Sequence, residues 1–404
     1  MPHHTKGPET TGRTLVLFTR SATDTAPQTL QRTAGISATM SPELGATPMS
    51  IQQMSTDGVV YQELGVAVVD AEPDQIDALQ AATRGPEPVL AVEAERVVYA
   101  ISTQEQELRT PAPDAPAGAP WQDTDNATWG LHAVRALGSS ATGAGIDVAI
   151  LDTGLDERHP DFATRNPELR SFVPGEEPRD GNGHGTHCAG TACGGRTVLE
   201  GPRYGVAPDA NIHCGKVLSD AGSGGDQGIL GGIDWAMAQG CDVISMSLGA
   251  GLDWNTPHSQ IYETVARRAL DRGTLIIAAA GNESARPGAV APVSHPANCP
   301  SIMAVAAIDN AEKIARFSCT SDPASGQIDI AGPGVGVHSS WPIPDRYKAI
   351  SGTSMATPHV AGVAALMAEA RGARGLDLWA ALMQHARRME LSSLDVGVGL
   401  VQAP

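Results

Sequence analysis

Three short segments carry the side chains of a hydrolytic triad, and they follow one another in order along the chain. Leu151-Asp152-Thr153-Gly154 supplies a carboxylate, Gly183-His184-Gly185-Thr186-His187 supplies imidazoles, and Gly352-Thr353-Ser354-Met355-Ala356 supplies a hydroxyl. A serine hydroxyl is a weak nucleophile near neutral pH, so it needs a base within hydrogen-bond reach. The base in turn needs a partner that fixes its tautomer and stabilises its charged form. Asp152, His184 and Ser354 can fill these roles, with His187 as a second candidate base. Each segment contains glycine, which lets the backbone pass close to a substrate.

The elements that must position these groups read as an alternation of strands and helices. Apolar strand candidates at Ile146–Leu151, Asn211–Leu218, Asp242–Leu248, Thr274–Ala280 and Ser301–Ile308 are separated by helical stretches. That pattern implies an α/β fold with a mostly parallel central sheet covered by helices. Ligands of such sheets bind beyond the carboxyl ends of the strands. Asp152 follows the first strand, Ser247 ends the third and Asn282 follows the fourth through Gly281, so all three fall on one edge. The run Met355–Ala370 has good helix propensity, with Pro358 expected in its first turn, where a missing N–H costs little. Ser354 then lies at a helix N-terminus, whose dipole and N–H groups favour a developing oxyanion. Asn282 offers a side-chain donor to the same charge.

The chain divides before this unit. Residues 1–13 read as a flexible N-terminus and 14–107 as a small α+β module: strands at Thr14–Arg20, Glu63–Asp70 and Val89–Ser102, and a helix at Pro73–Thr83. Between the first two strands, residues 21–57 are rich in Ser, Thr, Gln and Pro, so poor order is expected there, with one short helix around Leu30. Residues 108–120 hold Pro111, Pro113, Pro116 and Pro120 and read as an extended linker. The unit 121–404 carries the triad segments.

Composition narrows the function classes. The formal charge of −18, from 27 basic and 45 acidic side chains, repels phosphate backbones and anionic lipid, which argues against nucleic-acid and membrane partners. Met1–Arg13 is polar and the apolar run Leu15–Phe18 is too short for a signal-peptide core or a membrane span. The chain therefore reads as soluble, cytoplasmic if complete and secreted if a signal peptide has been removed. Six cysteines, at positions 188, 193, 214, 241, 299 and 319, form no C-x-x-C pair and no zinc spacing. They read as buried thiols, with a Cys299–Cys319 bridge left open. Cys188, four residues after His184, shares its helical face if the helix has begun by then, which would bring a thiol reagent close to the base. His159, His258, His338 and His359 have no ligand spacing and read as structural or surface residues.

Four stretches, Val148–Gly154, Asp180–Gly190, Ala280–Asn282 and Gly352–Gly362, resemble the subtilisin-like serine proteases, the subtilase family, from about Trp121 to the C-terminus. A cysteine directly after His187 is a feature of the proteinase K branch. The resemblance implies a subtilisin-like three-layer fold and a serine endopeptidase acting on peptides or proteins, with His184 as the base and Asn282 as the oxyanion-hole side chain. It implies that Ser247, Leu248 and Gly249 edge the cleft for the side chain before the scissile bond, and that Gly222, Ser223, Gly224 and Gly225 pair with extended substrate backbone. The N-terminal module resembles the family's propeptide, an intramolecular chaperone and inhibitor whose tail fills the cleft until it is cut, here between Ala100 and Gln122. No cofactor is needed for catalysis. Structural calcium through Asp161 stays open, because the loop Cys193–Tyr204 does not match the family's calcium loop; the alternative for Asp161 is a surface turn. Ser294 stands where many relatives have glycine at the base of the specificity pocket. Two other readings remain: a catalytically silent scaffold whose cleft the module fills permanently, and a protease dedicated to one partner peptide.

Overall fold

The computed structural model describes residues 9–41, 57–100 and 119–404. Nearly all of the expected linker, and most of the interval expected to hold the cut, lie outside the described residues.

The N-terminal module begins with strand β1 (Thr10–Phe18), so residues 10–13, expected to be flexible, are part of a sheet. Helix α1 (Ala26–Ala34) and strand β2 (Ala38–Met40) follow. Helix α1 is the short helix expected around Leu30; residues 21–41 are ordered because Ala26, Thr29, Leu30 and Ile36 are buried, which offsets the polar composition, while 42–56 lie outside the described residues. Within the strand expected at Glu63–Asp70, β4 (Val66–Val69) forms, and it is the second arm of a hairpin whose first, β3 (Gly58–Tyr61), was not expected. The hairpin turns at Gly65, whose φ of +63° favours glycine. Helix α2 (Pro73–Ala82) and the long strand β5 (Val89–Ala100) complete the module. Along β1 the side chains alternate between two cores. Val16 and Phe18 join Leu30 and Leu79 under the module's own helices, whereas Leu15 and Leu17 join the core of the larger unit.

In the larger unit come α3 (Trp129–Ala133), β6 (Asp147–Asp152), β7 (Glu168–Ser171), α4 (His184–Cys193) and β8 (Asn211–Lys216). Next are β9 (Ser223–Gly225), α5 (Asp226–Ala238), β10 (Val243–Met246), β11 (Leu248–Gly249) and α6 (Gln260–Asp271). The chain continues through β12 (Leu275–Ala279), β13 (Met303–Ile308), β14 (Ile330–Pro333), β15 (Val337–Ser340) and β16 (Tyr347–Ile350). It ends with α7 (Thr353–Arg371), α8 (Gly375–His385) and α9 (Ser393–Val396). The central sheet has the order β14-β13-β12-β10-β6-β8-β7. All its pairs are parallel. Every residue of β10, β12 and β13 is buried, as strands covered on both faces require. The subtilisin-like three-layer α/β fold read from the sequence is the one observed.

Helix α7 is buried through Ala368, a helix apolar all round at the centre of the fold. It starts two residues earlier than expected, so Pro358 is its sixth residue and falls in the second turn, not the first. The carbonyl of Ser354, four residues back, therefore receives no N–H from position 358. Among the described residues no helix is long and apolar enough to cross a membrane.

Candidate active site

Asp152 is the last residue of β6 and His184 the first of α4, and the parallel sheet brings their ends together. The His184 Nδ1–H donates to Asp152 Oδ1 at 2.7 Å, with both residues buried. This bond fixes the tautomer and leaves Nε2, which makes no hydrogen bond among the described residues, as the proton acceptor. Burial pulls the His184 pKa down, but the adjacent Asp152 carboxylate outweighs it, and the imidazole sits well above its ordinary value. Gly183 precedes the base with φ +109°, and a Cβ there would strike the ring of Trp341. Only glycine fits both constraints.

The other candidate base is not in reach of Asp152. His187 Nε2 donates to the carbonyls of Val337 at 2.9 Å and Lys348 at 3.2 Å, and burial lowers its pKa to about 3. It is a neutral packing residue that ties α4 to the β15–β16 hairpin.

Ser354, the second residue of α7, is wholly buried, and its Oγ–H donates to the Ser247 carbonyl at 3.1 Å. The Ser247 hydroxyl donates to the Ser354 carbonyl at 2.8 Å, supplying the bond that Pro358 withholds. Ser247, expected at the cleft edge, thus uses its side chain to prop the nucleophile's backbone. Asn282 Oδ1 accepts from both the N–H and the hydroxyl of Thr353, each at 2.9 Å. Those two bonds hold the Oδ1 side of the Asn282 amide against Thr353, the residue before Ser354.

Two positioning groups had no place in the sequence reading. Asp180 is buried and accepts from the hydroxyls of Thr153 and Thr186 and from the N–H groups of Asn182, Gly183 and Thr186, all within 2.9 Å. It joins the Asp152 loop to the N-terminus of the His184 helix; the visible signal was a carboxylate four residues before the histidine. Lys216, buried at the end of β8, donates to the Thr153 carbonyl at 2.7 Å and pairs with Asp220 and Glu176.

Strands β9 and β11, which carry the residues expected to line the cleft, lie on either side of β5, the module's last strand. Val97, Val98 and Tyr99 pair with Gly225, Gly224 and Ser223. Ala100 and Tyr99 pair with Leu248 and Gly249, and the Ala100 N–H donates to the Gly222 carbonyl at 2.8 Å. A Cβ at Gly224 would fall 2.5 Å from the Val217 carbonyl, which explains glycine there. Acidic side chains of β5 also meet helix N-termini of the larger unit. Glu95 accepts from Gln227 N–H at 2.7 Å at the start of α5, and Glu93 accepts from Gln260 N–H at 2.8 Å at the start of α6.

All six cysteines are free and buried, including Cys299 and Cys319. Cys188 Sγ lies 3.8 Å from His184 Nδ1, and burial pushes its thiol up to about 11. Asp152, His184 and Cys188 form the one cluster of three metal-type ligand atoms among the described residues, and it coincides with the triad base. Hydrogen-bond donors fill the carboxylate of Asp161.

Residues 143–399 match the subtilase family. Subtilisin E of Bacillus subtilis (strain 168) is 41% identical over 228 residues, 56% of this chain and 56% of that protein. Subtilisin of Bacillus pumilus is 41% identical over 228 residues, 56% of this chain and 78% of that protein. M-protease of Shouchella clausii (strain KSM-K16) is 36% identical over 311 residues, 76% of this chain and 70% of that protein. The match thus spans little more than half of the length of Subtilisin E. With M-protease the likeness covers more of the chain than residues 143–404 contain, so it reaches into the N-terminal part.

Proposed function

The chain belongs to the subtilase family, and from that premise we propose that it is a serine endopeptidase made as a self-processing zymogen. The observation that carries the reading is the seat of β5: a polypeptide main chain already lies as the middle strand between β9 and β11, at the site edge that holds Ser354. Triad geometry by itself supports a hydrolase, and the seated strand specifies an extended peptide as the ligand.

In the proposed reaction Ser354 Oγ attacks the carbonyl carbon of the scissile peptide while its proton passes to His184 Nε2. Asp152 stabilises the imidazolium, and Asn282 Nδ2 with the N–H groups at the start of α7 stabilises the oxyanion. Collapse of the tetrahedral adduct breaks the C–N bond, with the imidazolium proton going to the leaving amine. Water, deprotonated by His184, then releases the acid from the acyl-enzyme and restores Ser354. No cofactor enters these steps. The N-terminal module, held by β5 and by Glu93 and Glu95, is the first substrate and then the inhibitor. A silent scaffold is not favoured: the His184–Asp152 hydrogen bond and the Asn282 contacts to Thr353 support the enzyme reading.

The test is the purified full chain beside Ser354→Ala. Wild type is expected to give a processed band and to label with a fluorophosphonate, and Ser354→Ala to stay intact and unlabelled. An intact wild-type chain inert to the probe would overturn the proposal.

A further inference from the structure

One buried carboxylate has no part in this reaction. Asp161 lies in the turn Pro160–Phe162 beyond β6, and its carboxylate is filled with donors. Oδ2 accepts from the Tyr204 hydroxyl at 2.6 Å and from the Tyr347 hydroxyl at 3.1 Å; Oδ1 accepts from the Leu199 N–H at 2.9 Å. The Tyr347 oxygen in turn accepts from the Glu200 N–H at 3.3 Å. Calcium needs several oxygens with lone pairs turned toward the ion at about 2.3–2.6 Å. Three donors direct hydrogens at this carboxylate, and aromatic rings close around it. His338 stacks on Tyr347 at 5.6 Å, and Tyr204 meets both rings edge-on at 6.2 Å. A cation on Asp161 would have to displace both phenols, so the residues present do not fit the calcium that the family likeness implies.

We propose that Asp161, Tyr204 and Tyr347 form a metal-free clamp that fastens the loop between Cys193 and Tyr204, so that this corner of the fold does not depend on calcium. The three arms come from segments that adjoin the triad. Asp161 follows Asp152 in the loop after β6, Tyr204 ends the loop leaving the His184 helix, and Tyr347 opens the strand that leads to Ser354. Further bonds tighten the same corner: Arg346 pairs with Glu200 at 2.7 Å, and the Arg346 carbonyl accepts from His159 Nε2–H at 2.8 Å. Burial and the Asp161 charge raise the Tyr204 hydroxyl well above its ordinary value and the Tyr347 hydroxyl to about 12. A phenol whose folded pKa exceeds its unfolded value contributes fully below about pH 10 and loses that contribution only as pH rises through the folded value. The clamp therefore holds across the neutral and mildly alkaline range.

The test is hydrogen exchange of residues 194–203 in the full chain carrying Ser354→Ala, which prevents self-digestion, with excess chelator and then with millimolar calcium. Exchange is expected to be the same in both. Tyr347→Phe, which removes one hydroxyl from a half-buried ring, is expected to speed it by about tenfold or more, the loss expected for a bond to a charged group. Calcium is expected not to restore protection in that variant. The proposal is overturned if calcium slows exchange of this loop in the parent chain, or if Tyr347→Phe exchanges like the parent.

Discussion

Ser247 and Pro358 should be energetically coupled although they lie on different elements. Pro358 has no N–H for the Ser354 carbonyl, and the Ser247 hydroxyl supplies the missing bond at 2.8 Å. In Ser247→Ala that carbonyl loses this hydroxyl and keeps the Cys188 thiol, a weak donor at 3.6 Å. Leaving a buried carbonyl short of a partner costs about 1–3 kcal/mol. At roughly 2–4 °C per kcal/mol for a domain of 150–250 residues, that is a fall of about 2–12 °C in the midpoint of thermal unfolding. Pro358→Ala returns an N–H to position 358, which lies four residues beyond the carbonyl, as a helix requires. In that background the Ser247 hydroxyl is redundant, and its removal should cost at least about 1 kcal/mol less. The assay is a double-mutant cycle on unfolding of the full chain, with Ser354→Ala throughout, since that change keeps the carbonyl in question. A coupling energy within about 0.5 kcal/mol of zero, the range found for independent sites, would refute the reasoning.

Two further outcomes follow from the site. Because Asp152 holds the His184 pKa well above its ordinary value, the base is uncharged only at higher pH. The rising limb of a kcat/KM profile on a peptide anilide is therefore expected above pH 6.5, and Asp152→Asn is expected to move it down while kcat falls about 10⁴-fold; a limb that stays in place contradicts the pairing. Glu95 is wholly buried at the start of α5 with Arg13 beside it. Glu95→Gln keeps the shape and removes the charge, so in the Ser354→Ala chain the amides of Gly222–Gly225 are expected to exchange about tenfold or more faster as β5 loosens; unchanged protection would mean that this cap does not hold the module.

The triad segments were legible because they sit at ends of elements, where an apolar run stops against glycine. Asp152, Asn282 and Ser247 on one sheet edge follow from strand order alone, since a parallel sheet turns every carboxyl end the same way. What escaped reading was set by contacts remote in sequence. The helix register around Pro358 depends on Thr353 joining α7 through Asn282, so the proline could not be placed from propensity. Asp180 and Lys216 look like surface charges until the Thr153 loop folds over them. Helix α1 has a narrow buried face, Ala26, Thr29 and Leu30 with Ala34, in a polar stretch, and is ordered by laying it on the module's sheet. The strands β7, β14, β15 and β16 are short, and β15 and β16 carry polar residues that period-two patterning cannot mark as strand.

The seat of β5 joins these levels. Its main chain contacts β9 and β11 through hydrogen bonds that any extended peptide could make, so backbone pairing by itself does not distinguish the module from a substrate. What distinguishes them is the remainder of the interface: Glu93 and Glu95 at the two helix N-termini, the Tyr61 hydroxyl on the Gln227 carbonyl at 2.8 Å, and the Glu63 N–H on Asp234 at 2.8 Å. On the proposed reading a peptide competes only for the β9–β11 slot, whereas the intact module holds the slot and both helices together. One cut in the chain beyond Ala100 severs the module from the larger unit but leaves Val97–Ala100 in the slot and the contacts to α5 and α6 undisturbed. The module can then remain docked after cleavage, and the step that releases activity becomes its dissociation or digestion.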